Sequence, residues 1–473
     1  MEHSNKKHAI LLIILTAIAV LTVVLVLVIT NIGRGRNRAG TKLLNIAVTF
    51  GDDPCTQKNF SWYTEDDSQN AVIQYYPASE SDKVGAKFDT SRAVTAEGFT
   101  ERLDTYIPKA GEEYSASAAL EPKSYTRHAV FVTGLEPGMR YMYRIGDGKN
   151  WSDTAEFTTA PDSSVSAGNG FSFLIVSDMQ GYIYSDYELW GKVFGKAMDK
   201  CGSPAFMVNL GDFVERQDNA LVWNYYFGLA DGLENVTTVP VAGNKEDKMF
   251  LKYFLLGSQD GITGLNGYYS FDYMNVHFTV LNTGDGTKDL SKSQVKWLKN
   301  DLSSDKAKNA AFRVVLVHKA PYSDRNHADD SEIVKIRQQL LPLFDEYGAD
   351  VVLEGHDHYY FRSEPVVSDG TVKAEYESSS VSAGGEKIDV FKLQKSSTGS
   401  SGVFYFMPGA SGVRQHSKEF RDMPEILAAR SIILNDPTFC VCDVTEDHIY
   451  FRTYEVDRYK LTATPVECWG IQK

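Results

Sequence analysis

Positive charge is what this chain has too little of. Its 48 lysines and arginines face 62 acidic residues, leaving a formal net charge of −14 and a sequence pI near 5.3. Such a surface repels a nucleic-acid backbone, so nucleic acid is excluded as a partner. A small phosphorylated substrate is not excluded, because bound cations override the global field locally. Cysteine is scarce too. Cys55, Cys201, Cys440, Cys442 and Cys468 form no C-x-x-C pair, which excludes a zinc-type thiolate cluster of that spacing. Cys440 and Cys442 share one face of an expected strand and read as buried free thiols. One disulfide through Cys468 stays open, and the odd count leaves at least one thiol unmatched. No solenoid repeat is present.

Long uncharged apolar runs are absent from ordinary globular chains, and here one opens the sequence. Ala9 to Thr30 carries no charge and at 1.5 Å per residue spans roughly 33 Å, enough to cross a bilayer. It is longer than a signal-peptide core and no A-x-A-like cleavage site follows. The expectation is a short tail (1–8), an uncleaved transmembrane helix (9–32) and a basic, Gly-rich linker (33–42). Lys6 and Lys7 precede the run, and Arg34, Arg36 and Arg38 follow it, so a positive-inside count places the large domain in the cytoplasm.

From 43 to 161 the apolar residues come in short β-branched and aromatic runs. "NAVIQYYP" and "RHAVFVTGL" read as strands, and "GLEPGMRYMYRIGDG" turns at Glu136-Pro137-Gly138 before a strand with Tyr141 and Tyr143 on one face. The expectation is an all-β sandwich without a catalytic cluster. "DSSVSAGNG", residues 162–170, reads as a linker. Over 171–460 strands alternate with helices, predicting an α/β domain. "SDYELWGKVFGKAMDK" opens with Ser185 and Glu188 at capping-box spacing, and "SKSQVKWLKNDL" repeats the pattern with Ser291 and Gln294. "SEIVKIRQQLLPLFDEYG" is a third helix, bent at Pro342. "YESSSVSAGGEKID" and "QKSSTGSSG" read as polar surface insertions, and 461–473 as a C-terminal tail.

Five apolar strands of this second half end in a polar residue. "FSFLIVSDMQG" ends in Asp178, "AFMVNLGDFVE" in Asp212, "VPVAGNKED" in Asn244, "FRVVLVHKAPY" in His318, and "VVLEGHDH" in His356 and His358. Ligands of open α/β sheets bind outside the carboxyl ends of strands, so five neighbouring strands aim these groups into one crevice. Carboxylate, amide and imidazole donors suit Zn, Mn, Fe or Co. The set is too large for one four-coordinate ion and fits two if a carboxylate bridges them. "VLNTGDG", near Asp285, reads as a turn; His128, His277, His416 and His448 read as structural.

The ordered set resembles the calcineurin-like metallophosphoesterase superfamily, through Asp178-x-Gln180, Gly211-Asp212, Gly243-Asn244, a strand-end His318 and Gly355-His356-x-His358. The segment before it resembles the fibronectin III-like N-terminal domain of purple acid phosphatases, at "GLEPGMRYMYRIGDG" and "WSDTAEFTTAP". The resemblance implies a four-layer α/β/β/α sandwich with two metal ions (Mn, Zn or Fe) at the strand ends. It implies that Asp178, Asp212 and His358 hold the first metal, with the Gln180 amide oxygen in place of an imidazole. Asp212 would bridge to a second ion held by Asn244, His318 and His356. Glu215 stands where the purple enzymes carry a tyrosine, so a colourless site is expected. Lys245 stands where the family has histidine; it either balances charge on the phosphoryl group or blunts the chemistry. His327 either contacts substrate or is a solvated loop residue. The implied activity is hydrolysis of small phosphate esters by a metal-activated hydroxide on a membrane-anchored protein, with the large domain outside the cytoplasm. The alternatives are a phosphodiesterase or nucleotidase using the same metals, and a surface binding module with weakened catalysis.

Overall fold

Alternating apolar and polar residues fold the chain from Leu44 to Thr158 into two four-stranded sheets. One contains Leu44–Phe50, Lys58–Thr64, Leu120–Val132 and Phe99–Pro108; the other contains Val94–Glu97, Val72–Pro77, Arg140–Gly146 and Ala155–Thr158. Their inner faces bury Phe60, Trp62, Ile73, Val130, Tyr141, Tyr143 and Phe157 in one core. His128 is fully buried, stacked flat on Trp62 at 5.1 Å with a ring nitrogen 2.9 Å from Thr64 Oγ1, a structural role as expected. The computed structural model describes residues 43–473 except 66, 110–117, 163–169, 247–248, 259–265, 285–288, 326, 368–369, 395–400, 416–422 and 424–425. The expected anchor with its flanking segments, most of the 162–170 linker, Asp285 and His416 lie outside the described residues. Among the described residues no helix is long and apolar enough to cross a membrane.

The second half forms two facing sheets. The first runs Thr238–Pro240, Met207–Asn209, Phe171–Val176, Thr438–Val444, His448–Val456, Ala463–Gln472, Glu386–Leu393, Tyr376–Ala383. The second runs Tyr269–Tyr273, Val276–Val280, Phe312–Leu316, Val351–Leu353, Phe404–Pro408, Tyr360–Ser363, Ala428–Ile432. Parallel strands covered on both faces need continuous apolar runs, which "FLIV", "FMV" and "VVL" supply. Phe173, Ile175 and Val208 of the first sheet meet Phe278, Val314 and Leu353 of the second. The helix Tyr184–Cys201 covers the outer face of the first sheet through Trp190, Val193, Phe194 and Ala197. The helices Lys292–Leu302 and Ser331–Glu346 cover that of the second through Leu298, Leu302, Ile336 and Leu340. The layers therefore stack helix, sheet, sheet, helix.

Two local expectations fail. The Tyr184–Cys201 helix is capped by Asp186, whose carboxylate accepts from the amides of Tyr182 (2.8 Å) and Ile183 (3.2 Å), and not by Ser185 with Glu188. The helix starts two residues earlier than the Ser185 reading, so Ser185 falls inside its first turn. Residues 461–473 are no tail: Ala463–Gln472 is a strand between His448–Val456 and Glu386–Leu393, with Trp469 and Ile471 fully buried. Only the end of that strand is deeply buried, so its period shows over too few residues to read. "YESSSVSAGGEKID", read as a polar surface insertion, is a largely exposed hairpin, Tyr376–Ala383 on Glu386–Leu393. Its turn is Gly384-Gly385, both with positive φ (+58° and +81°), the two-residue turn whose twist suits a hairpin. All five cysteines are free, and Cys440 and Cys442 are buried.

The β-sandwich is tied to the segment that carries the third strand end. Ser61 Oγ donates to the Tyr253 carbonyl (2.7 Å), Asn59 Nδ2 to that of Gly257 (2.8 Å), and Thr105 Oγ1 to that of Asp218 (2.6 Å). Lys58 is buried beneath this contact, its ammonium 2.7 Å from Thr237 Oγ1 and 4.0 Å from the Phe50 ring centroid. Thr237 leads directly into the Thr238–Pro240 strand, so the sandwich helps fix where Asn244 emerges.

His277 is structural and makes the fold pH-sensitive. Its ring is 3% exposed, with Nδ1 2.7 Å from Asp272 and Nε2 3.2 Å from Asp301. Burial alone would push the imidazole down, but bonding to Asp272 and Asp301 outweighs it and holds the ring near 9 instead of 6.5. A raised folded value gives stability that is complete below pH 6.5 and is lost as pH rises through about 9. Across that window the wild type is expected to lose on the order of 3 kcal/mol at about 1.4 kcal/mol per pH unit. His277→Gln should flatten the slope, as read from urea denaturation at pH 6 and pH 9.5; parallel pH profiles would refute the pairing.

Candidate metal centre

Strands that must deliver side chains to a point beyond their ends have to turn sharply there. Among the described residues seven non-glycine residues have clearly positive φ, and four of them are Asp178 (+54°), Asp212 (+53°), His356 (+75°) and His358 (+56°). Such backbone costs on the order of 1–3 kcal/mol each and clusters at functional sites. Gly211, at φ +100°, lies so close to its neighbours that a Cβ would sit 2.6 Å from His318 Nδ1. A Cβ on Gly243 would sit 2.2 Å from the Asp212 amide nitrogen. The glycines let the two loops touch.

The site lies between the sheets and not along one of them, as the sequence had suggested. Asp178, Asp212 and Asn244 follow strands of the first sheet; His318, His356 and His358 follow strands of the second. The crossover connections decide this, and a strand-end pattern carries no record of which sheet each strand joins.

All seven expected ligands converge. Asp212 Oδ1 is 3.2 Å from His318 Nε2, and Asp212 Oδ2 accepts from Gln180 Nε2 at 3.1 Å. His358 Nε2 is 3.2 Å from Asp178 Oδ1, and Asn244 Oδ1 is 2.9 Å from His318 Nε2. The rings of His318 and His356 lie 5.1 Å apart. Donor atoms of Asp178, Asp212 and His358 fall within 4.8 Å of one another, and so do those of Asp212, His318 and His356. Asp212 belongs to both clusters. A third group, His327, His356 and Asp357, meets the same distance limit beside them.

The donor chemistry calls for cations. His318 Nδ1 is 2.8 Å from the Leu210 carbonyl and His358 Nδ1 3.1 Å from that of Arg414, contacts that place the protons on Nδ1 in the neutral rings. Each ring then turns an Nε2 lone pair toward the site. For His318 that lone pair faces the oxygens of Asn244 and Asp212, an arrangement that repels alone and attracts around a metal. Gln180 Oε1, in a residue only 1% exposed, has no hydrogen-bond partner. Burial pushes the Asp212 carboxyl up, and the Asp178 charge adds to this against the pull of His318. These residues fit a pair of oxygen- and nitrogen-bound ions.

The other two expected site residues stand at the edge. The Lys245 backbone N–H donates to Asp212 Oδ1 at 3.1 Å, but its ammonium reaches Glu215 Oε1 at 3.3 Å. The His327 ring lies 4.5 Å from that of His356, with Nδ1 2.7 Å from Asp330. Sequence reasoning missed two residues. Glu246 is fully buried and accepts from the amides of Asp212 (3.1 Å) and Val214 (3.0 Å), holding the Asp212 loop. A carboxylate two positions beyond a ligand was its signal. Arg414 gives its carbonyl to His358 and its guanidinium to Glu215 (2.7 Å). Its signal was a sixth apolar strand, Phe404–Pro408, ending in the Gly-containing "GASGVR".

Both halves of the chain are similar to known proteins. Residues 43–159 match the domain family described as purple acid phosphatase, N-terminal domain, and residues 171–360 match calcineurin-like phosphoesterase. Purple acid phosphatase 23 of Arabidopsis thaliana is 26% identical over 293 residues, covering 53% of this chain and 60% of that protein. Purple acid phosphatase 21 of the same plant is 26% identical over 278 residues, covering 54% and 59%. The chain thus aligns with about three-fifths of the length of these relatives. The structure of a purple acid phosphatase from yellow lupin (Lupinus luteus) seeds shares the fold at a TM-score of 0.68 and 15% identity, over 91% of this chain and 74% of that one.

Proposed function

We propose that this chain, a purple acid phosphatase homologue joining that family's N-terminal domain to a calcineurin-like phosphoesterase domain, hydrolyses phosphate esters at a two-metal centre. The observation that carries the proposal is Asp212, common to two donor clusters. Asp178, Gln180, Asp212 and His358 would hold one ion; Asp212, Asn244, His318 and His356 would hold the other. Bound ions of this kind lower the pKa of a shared water and polarise phosphoryl oxygens. The chain's own residues orient the donors: Leu210 and Arg414 carbonyls fix the two imidazoles, and Glu246 fixes the turn at Asp212. Burial of Asp178, Asp212 and His318 keeps bulk water from the donors.

Mn, Zn or Fe(II) suits the site, and it should be colourless. Glu215 replaces the tyrosine of the purple enzymes, and the Tyr182 hydroxyl is bonded to Glu215 at 3.1 Å. The uncharged run from Ala9 to Thr30 supports a single-pass membrane anchor, and the family resemblance supports an extracytoplasmic enzyme domain.

Lys245, tied to a carboxylate, favours a second reading in which the fold is a surface binding module with weakened catalysis. Metal analysis of the purified protein after Mn, Zn or Fe loading, joined to a panel of phosphomonoesters and phosphodiesters, separates the two. Close to two ions per chain with turnover is expected. Full occupancy with no turnover supports the module; no stoichiometric metal ends both.

A further inference from the structure

We infer that Glu215 is a positioning residue that holds Lys245 and Arg414 together as a two-cation clamp for the phosphoryl oxygens of the ester, an inference resting on the phosphoesterase reading above. Its two oxygens divide the work. Oε1 is 3.3 Å from Lys245 Nζ and accepts from the Tyr182 hydroxyl at 3.1 Å; Oε2 accepts from Arg414 Nη1 at 2.7 Å. The Arg414 guanidinium also lies over the Tyr182 ring, 4.3 Å from its centroid. Lysine and arginine so close would repel and swing apart without a carboxylate between them.

Exposure sets the direction in which the cluster works. The Glu215 side chain is 12% exposed, whereas Lys245 and Arg414 are 31% and 27% exposed. The carboxylate sits behind, and the cations are open to an incoming anion. The formal charge of the three is +1.

Each member is fastened to the donor set. Tyr182 follows Gln180 by two positions and Glu215 follows Asp212 by three. The Lys245 amide donates to Asp212, and the Arg414 carbonyl is paired with His358 Nδ1. Backbone contacts thus set the two residues that carry the cations beside the donors of both clusters. Charge accumulates on the equatorial oxygens during transfer, and preset cations stabilise it there. Glu215 does not touch the reacting atoms in this scheme; it acts through the two cations.

The test is calorimetric titration of inorganic phosphate into metal-loaded wild type and Glu215→Gln, alongside metal content and steady-state kinetics. With metal content unchanged, Glu215→Gln should bind phosphate about tenfold more weakly, the scale of losing a residue that orients a binding group. KM should rise in step and kcat should fall as well, because the clamp also meets the charge that builds during transfer. Lys245→Met should weaken binding similarly, and the double variant should be no weaker than the worse single one, because the lysine is already unheld. Glu215→Asp, which keeps the charge but spans only one cation, should fall between and serves if Glu215→Gln fails to fold. Phosphate binding by Glu215→Gln as tight as, or tighter than, wild type would overturn the inference, since Glu215 would then only neutralise the cations. A wild type that neither binds phosphate nor hydrolyses esters overturns the phosphoesterase reading, and this inference with it.

Discussion

Asp212→Asn is expected to lower kcat/KM by on the order of 10³-fold, because a carboxylate shared by two ions would contribute several kcal/mol and each 1.4 kcal/mol is about tenfold. The variant isolates charge from shape. Asparagine keeps the volume, accepts the left-handed backbone at φ +53° better than most residues, and leaves the amide bond to Glu246 in place. What it removes is one anionic oxygen. The wild-type carboxylate turns Oδ1 toward His318 and the Lys245 amide, and Oδ2 toward Gln180. The asparagine amide would set an N–H₂ against one of these donors, and one neutral oxygen cannot serve two cations. Metal content should therefore fall from about two ions to about one. Thermal unfolding without metal should change little. A variant that keeps two ions and full turnover would end the bridging assignment and with it the reason for treating the two clusters as one centre.

The strand ends were legible because each is a covered parallel strand. Such a strand has no polar alternation to blur its apolar run, so the first ionisable residue after it stands out, as at Asp178, Asp212 and His318. Glycines before Asp212, Asn244 and His356 marked the close approach that the structure shows at Gly211 and Gly243. Partnerships across the chain were not legible. Arg414 meets Glu215 across 199 positions, and neither residue belongs to an apolar period. Glu215 and Lys245 each looked like a lost residue, tyrosine in one case and histidine in the other. Only the fold shows that the two changes meet in an ion pair. The hairpin at 376–393 was hidden by its serines, although Gly384-Gly385 was a hairpin signal.

Glu246→Ala is expected to destabilise the protein by on the order of 4 kcal/mol, from two orphaned amides at about 1–3 kcal/mol each together with an unfilled space. Glu246 is fully buried, and burial together with the Asp212 charge pushes its carboxyl well above the usual range. Its oxygens take the amides of Asp212 and Val214, either side of Phe213. Alanine would leave both N–H groups without the acceptor that Glu246 supplies. The strained turn at Asp212 would lose its hold, and metal affinity should drop by about 10–100-fold, the scale for residues that orient ligands. Glu246→Gln should fall between, because its amide oxygen can accept one N–H while its N–H₂ opposes the other. Urea denaturation of the metal-free protein and competition with a chelator for the metals would report the two effects separately. Loss of stability with unchanged metal affinity would make Glu246 a packing residue only. Loss of both, partly restored by glutamine, is what a carboxylate that sets the angle of Asp212 requires.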